Sequence, residues 1–220
     1  MKIPDFMKRD EYLQNPIMRK FLKAHKLKLV DNWPDYINAI EEFANSSEEN
    51  ENEVQKWLLK VVKEGNKEIC YKKIYQLQEW HRDPVILNAK IKELFPDCPN
   101  QNVLNYHATE KSTMIEYHIT TNDKNEAVKI DFVFSKLFLM GQLNKWGDGV
   151  IYPVFIEVYL QDAFIISRAK PKSTLYLYDD NNRLLIGEFR VDTMEYAISI
   201  IEEIVKGLEF TTQKNVKSEK

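Results

Sequence analysis

Two cysteines, six glycines and no apolar run of membrane-spanning length set the first limits on this chain of 220 residues. Cys70 and Cys98 are too few and too far apart for a disulfide framework or a redox motif, so reduced, semi-buried thiols are expected. Scarce glycine leaves few places for backbone to approach a cofactor. The stretch "GQLNKWGDG" has neither the spacing of a phosphate loop nor a lysine followed by serine or threonine. No cofactor is therefore expected. Every apolar run breaks before the roughly 18 residues that a membrane helix needs, and "MKIPDFMKRDEYLQNP" has no apolar signal core. These absences point to a cytoplasmic protein with no membrane partner. A net charge of −3 gives no global attraction to nucleic acid, so any such surface must be local.

What is present is a change of period partway along the chain. In "DNWPDYINAIEEFA", residues 31–44, Trp33, Tyr36, Ile37, Ile40 and Phe43 recur at helical spacing, with Asp31 or Asn32 as cap and Pro34 in the first turn. A second helix follows through Val54, Trp57, Leu58, Val61 and Val62, with Gly65 expected to supply a left-handed ending. The acidic "NSSEENENE" between them reads as a solvated connection. A third helix is predicted over 67–81 from Ile69, Tyr71, Ile74, Leu77 and Trp80, and a fourth is capped by Asp83 with Pro84 inside it. Before all of these, "RKFLKAHKLKL" extends a helix expected to begin near Asp10.

From about residue 112 the pattern becomes two-fold. "STMIEYHITT" and "EAVKIDFVF" flank the turn "NDKN" as an antiparallel pair. "SKLFLM" fits a short helix capped by Ser135 or a strand. "YPVFIEVYL" is a strand that is central or covered on both faces, with Pro153 placing its first residues at an edge or outside the ladder. The turn "QD" returns it into "AFIISRAK". In "STLYLYDDNNRLLIGEF", Asn181 and Asn182 suit a two-residue hairpin turn. Asp192 and Glu195 then open a last helix whose stripe is Met194, Ala197, Ile198, Ile201, Val205 and Leu208. The fold class is α+β: a helical region at 1–98, then a mixed or antiparallel sheet at 110–210 with the C-terminal helix packed against it. A flexible tail covers 211–220, and the boundary is placed within 96–111.

Chemistry is harder to find. Asp148, in a glycine turn, and Glu157, in the strand after it, imitate the paired acids of a metal-dependent hydrolase or nuclease. Yet Gly147 and Gly149 account for Asp148 as a turn residue, no lysine stands two positions beyond Glu157, and Glu157 can pair with Arg168 across the turn. His107 and His118, with Glu116, make a conceivable site without a spacing rule. His81 is expected to end a helix beside free carbonyls. Cys70 is placed on a helix beside lysines, with no base in view.

Binding features are more evident than catalytic ones. Residues 1–28 hold eight Lys or Arg against three acids. Arg19, Lys20, Lys23, Lys26 and Lys28 make either a phosphate-attracting patch, aligned with Lys60, Lys63 and Lys67, or a solvated helix face. Trp146, Tyr176 and Tyr178 offer an aromatic platform or a second core layer. The expectation is a non-enzymatic protein-interaction module with a regulatory, adaptor or inhibitory role and a protein partner, a homodimer among the options. Nucleic-acid binding through the basic helices and hydrolysis at Asp148 and Glu157 stand as alternatives.

Overall fold

The computed structural model describes residues 1–9, 12–140, 149–172, 175–177 and 190–212. The chain forms two compact units, Met1–Asn66 and Lys67–Lys220. The boundary expected within 96–111 thus lies inside the second unit, because residues 67–98 contribute a strand and a helix to the sheet.

The first unit is helical: α1 (Asp5–Arg9), α2 (Asn15–Ala24), α3 (Trp33–Ala44) and α4 (Glu48–Glu64). The Asn32 side chain accepts the Asp35 N–H at 3.0 Å and starts α3. Ser47 accepts the Asn50 N–H at 3.1 Å and starts α4. The acidic stretch is therefore not a connection. Glu48, Glu49 and Glu51 fill the first turn of α4, where free N–H groups favour negative charge. Gly65 does not adopt a left-handed ending, since its φ is −57°. It is needed because an added Cβ would lie 2.7 Å from the Val61 carbonyl oxygen. The start expected near Asp10 falls outside the described residues, and α2 begins at Asn15 with Pro16 in its first turn. Met18, Leu22, Ile37, Ile40, Val54 and Leu58 are buried.

The second unit contains β1 (Glu68–Gln76), a 3-10 turn (Glu79–Arg82), α5 (Pro84–Leu94), β2 (Thr113–Thr121), β3 (Ala127–Met140), β4 (Gly149–Tyr159), β5 (Phe164–Ala169), β6 (Leu175–Tyr176), α6 (Thr193–Gly207) and β7 (Thr211–Thr212). The strands form an antiparallel sheet in the order β2-β3-β4-β5-β1-β7, with β6 beside β3. The predicted third helix is thus a strand. Cys70 and Ile74 turn toward the core while Ile69, Tyr71 and Tyr75 turn away, and pairing with β5 selects this alternation over the helical period. "SKLFLM" likewise continues β3, held by pairing to β4 through Leu139.

Pro153 sits inside the β3–β4 ladder, opposite Ser135, and not at its margin. Leu160 N–H donates to Val128 O, so even-numbered residues of β4 turn their backbone toward β3. The Pro153 nitrogen therefore points to the β5 side, where pairing has already ended at Val154 and Ala169. No donor is lost there.

One sheet face carries the core, where Phe132, Phe134, Phe138, Tyr152 and Ile156 meet Leu87 and Ile91 of α5 and Ala197, Ile200, Ile201 and Ile204 of α6. Asp192 caps α6 by accepting from Met194 N–H and Glu195 N–H at 2.8 and 3.1 Å. The first two residues of the expected tail form β7 against β1. No helix among the described residues is long and apolar enough to cross a membrane.

Candidate functional site

The sheet face turned away from α5 and α6 is built by strand alternation. Across β4, β5 and β1 the register sets three rows: Phe155–Arg168–Ile69, Glu157–Ile166–Tyr71 and Tyr159–Phe164–Lys73. On the far side of β4, Asp131 stands opposite Glu157 and Lys129 opposite Tyr159.

Glu157 is 4% exposed and anchors a charge network. Its Oε1 accepts from Lys129 Nζ at 2.8 Å and its Oε2 from Arg168 Nε at 2.7 Å. Lys129 also donates to Asp131 Oδ1 at 2.9 Å, and the Tyr159 hydroxyl lies 3.3 Å from Glu157 Oε1. Burial pulls the Lys129 ammonium down, but hydrogen bonds to Glu157 and Asp131 and their charges outweigh it and hold the group above the ordinary lysine value. The expected Glu157–Arg168 pair is present; Lys129 is the partner that sequence distance concealed. A carboxylate whose two oxygens each hold a cation is a structural anchor. Asp148 lies outside the described residues, and no cluster of three or more metal-ligating side chains occurs among the described ones.

Beside this network runs an aromatic stripe. Tyr159 stacks on Phe164 at 4.5 Å and 23°, and Phe164 meets Tyr71 at 5.5 Å. The Lys129 ammonium sits 5.0 Å from the Tyr159 ring. Toward β1 the surface opens: Ile69, Tyr71 and Tyr75 are 55%, 60% and 56% exposed. Large side chains so exposed at alternate positions of one strand form a surface patch, with the Lys73 ammonium 5.5 Å from the Tyr75 ring. The sequence pattern concealed this patch by mimicking a helix.

The other predicted residues are dispersed. Tyr176 is half-buried on β6 opposite Leu139, on the face away from the helices, while Leu175 joins the core. Trp146 and Tyr178, with the Asn181–Asn182 hairpin, fall outside the described residues. His118 is on β2, beside a groove of about 640 Å³ lined by Asn88, Lys92, Phe95, Cys98 and Tyr117. His107 precedes β2 in a loop and does not line it. Burial pushes the Glu116 carboxyl up, opposed by the His118 charge. His81 does not end a 67–81 helix but lies in the 3-10 turn Glu79–Arg82. It is fully buried between Trp80 and Phe210, its Nδ1 accepts from Gln78 N–H at 2.7 Å, and Nε2 lies 2.6 Å from Leu208 O. Cys70 is on a strand and not on a helix, and burial raises its thiol by more than the Lys72 charge and the Ser167 hydrogen bond lower it.

In the helical unit, Arg19, Lys20, Lys23, Lys26 and Lys28 are all exposed. Arg19, Lys20 and Lys23 border a groove of about 580 Å³ with Pro16, Leu29 and Tyr36. None of the five makes an ion pair among the described residues, whereas Lys60 is committed to Glu64 at 3.9 Å. Lys67 belongs to the sheet unit, its ammonium 5.7 Å from the Phe155 ring. Burial lowers it to about 7, with Lys170 adding to the effect.

No protein-family model, curated protein or solved structure matches this chain.

Proposed function

We propose that this chain is a non-enzymatic protein-interaction module with a regulatory, adaptor or inhibitory role, and that β1 presents its docking surface. The observation that carries this reading is the exposure of Ile69, Tyr71 and Tyr75 along one strand. Aromatic rings contribute large contact area at small entropic cost, and they bind best when their support does not move. Here Phe164 braces Tyr71, Tyr159 stacks on Phe164, and the Glu157 network holds Tyr159.

Affinity capture from the protein's native cells, run with wild type and with a Tyr71→Ser/Tyr75→Ser variant, tests it. The expected outcome is a stoichiometric partner lost in the variant while its melting temperature stays within a few degrees of wild type. Capture unchanged by the double substitution overturns the reading.

A second reading has its own observation, the five unpaired cations around α2. Nucleic acid bound there would be released steeply as salt rises, between about 50 and 200 mM. Fluorescence anisotropy with single-stranded and duplex oligonucleotides decides it, and binding indifferent to salt or to Lys20→Ala/Lys23→Ala sinks it. The hydrolase alternative has less support, since both Glu157 oxygens are already engaged, one by Lys129 and the other by Arg168.

A further inference from the structure

We propose that the outer edge of β1 is self-complementary, and that two copies of this chain pair through it as antiparallel strands. The inference rests on the reading of β1 as a protein-docking surface and names the occupant as a second copy.

On its inner side β1 pairs with β5 from Glu68 to Lys73 without interruption. On its outer side, among the described residues, only Ile74 and Gln76 are paired, to Thr212 and Thr211 of β7. Ile74 N–H donates to Ala163 O, toward β5. Since backbone direction alternates along a strand, Ile69, Tyr71 and Lys73 turn their N–H and C=O groups outward. The edge from Glu68 to Lys73 contains no proline and no bulge. The opposite edge of the sheet, β2, is broken by register shifts at Met114/Glu116 and Thr120/Thr121. Bulges, prolines and lysines are devices by which edges avoid pairing; this stretch of β1 has no bulge or proline, and its Lys72 has a carboxylate opposite it in the register that follows.

The residue order fits a two-fold axis through Cys70. In that register Ile69 faces Tyr71 of the second copy and Tyr71 faces its Ile69, and these are the positions whose backbone groups point outward. Four N–H···O=C bonds form. On the opposite face of the strand Glu68 stands across from Lys72 of the second copy, twice, so opposite charges meet on either side of the axis, one position inside the pairing of Lys73 with Lys67. Lys72 lies 3.8 Å from Glu202 of its own chain, so in the dimer its ammonium is shared between Glu202 and Glu68 of the second copy. Cys70 meets Cys70 at a non-hydrogen-bonded position, where Cα atoms approach to about 4.5 Å, within the range a disulfide can bridge.

Sedimentation of the full chain over a concentration series is the primary experiment. The expected result is a monomer–dimer equilibrium. Ile69→Pro removes an outward N–H and leaves the β5 ladder and the aromatic stripe in place, so it abolishes the dimer with unchanged circular dichroism. Glu68→Lys and Lys72→Glu each weaken association about tenfold or more through like charges across the axis, and mixing the two variants restores a heterodimer. With Cys98→Ser, copper–phenanthroline couples two Cys70 thiols into one disulfide, the oxidant accepting two electrons and solvent two protons. Ile69→Pro blocks this product.

A chain monomeric throughout the series overturns the proposal, as does a dimer indifferent to Ile69→Pro and to the charge reversals. Dimerisation that appears only after removal of residues 213–220 also overturns it, assigning the edge to the chain's own terminus. If the chain is monomeric but Tyr71→Ser/Tyr75→Ser still loses a captured partner, the dimer fails and the docking surface stands. If Ile69→Pro dissolves a dimer while capture ignores that double variant, the dimer stands and the separate-partner reading fails.

Discussion

Two buried carboxylates show how much a single residue holds in this molecule. Removing the Glu157 charge leaves Arg168 and Lys129 with less compensation on a half-buried face, although Asp131 still holds Lys129. Glu157→Gln should lower stability by about 2 kcal/mol, the full cost of a broken buried pair being moderated by partial solvent access. Urea unfolding followed by tryptophan fluorescence measures it, and a stabilised variant would contradict the assignment of Glu157 as an anchor. Glu41 has the analogous role in the helical unit, where it accepts from Ile3 N–H at 3.0 Å and Lys8 Nζ at 3.2 Å. Burial alone would raise its carboxyl, but Ile3 N–H, Lys8 and the charge of Lys2 outweigh it and hold the group below its ordinary value of 4.5. A lowered carboxylate favours the fold above the unfolded value, and that contribution disappears as pH falls through the folded one. Wild type should therefore exceed Glu41→Gln in stability at pH 7, with the gap closing below pH 4.5. A gap that persists in acid would show that shape, and not charge, supplies the difference.

At the scale of elements, α5 and α6 pack closely where Gly207 meets Leu94. A Cβ on Gly207 would lie 2.2 Å from Leu94 Cδ2 and 2.6 Å from Cδ1. Gly207→Ala forces Leu94 from its rotamer and should cost about 1–3 kcal/mol, read as a lower melting temperature; Gly207→Ala/Leu94→Ala should recover part of it. Helix starts such as Asn32, Asp83 and Asp192 were legible because a cap is a bond to a backbone group two or three residues away. The hairpin of β2 and β3 was legible for the same reason, its turn closing around Asn122. β1 was not. Its apolar residues fit two periods, and the choice is made by β5, distant in sequence. The site divides likewise: Glu157 and Arg168 flank one turn and were paired from sequence, while Lys129 reaches Glu157 only through the β3–β4 register.

For the whole molecule, the division at Asn66 predicts separable stability. Met18, Leu22, Ile40 and Leu58 are buried within the first unit, and Ile74, Phe132, Ile156 and Ile201 belong to the core of the second. Differential scanning calorimetry should resolve two transitions, one moved by Glu41→Gln and the other by Gly207→Ala. A single transition moved equally by both would show one cooperative unit.

The place of β1 in the sheet also has a cost in time. β2, β3, β4 and β5 are consecutive in the chain and can zip together as neighbours, whereas β1 leaves the ribosome roughly ninety residues before the strand that receives it. Throughout that interval Ile69, Tyr71 and Ile74 wait for β5 in a growing polypeptide. Capture of β1 by β5 is thus the late, long-range event of biogenesis, and the stage at which a nascent chain is most open to a chaperone or to a mistaken neighbour.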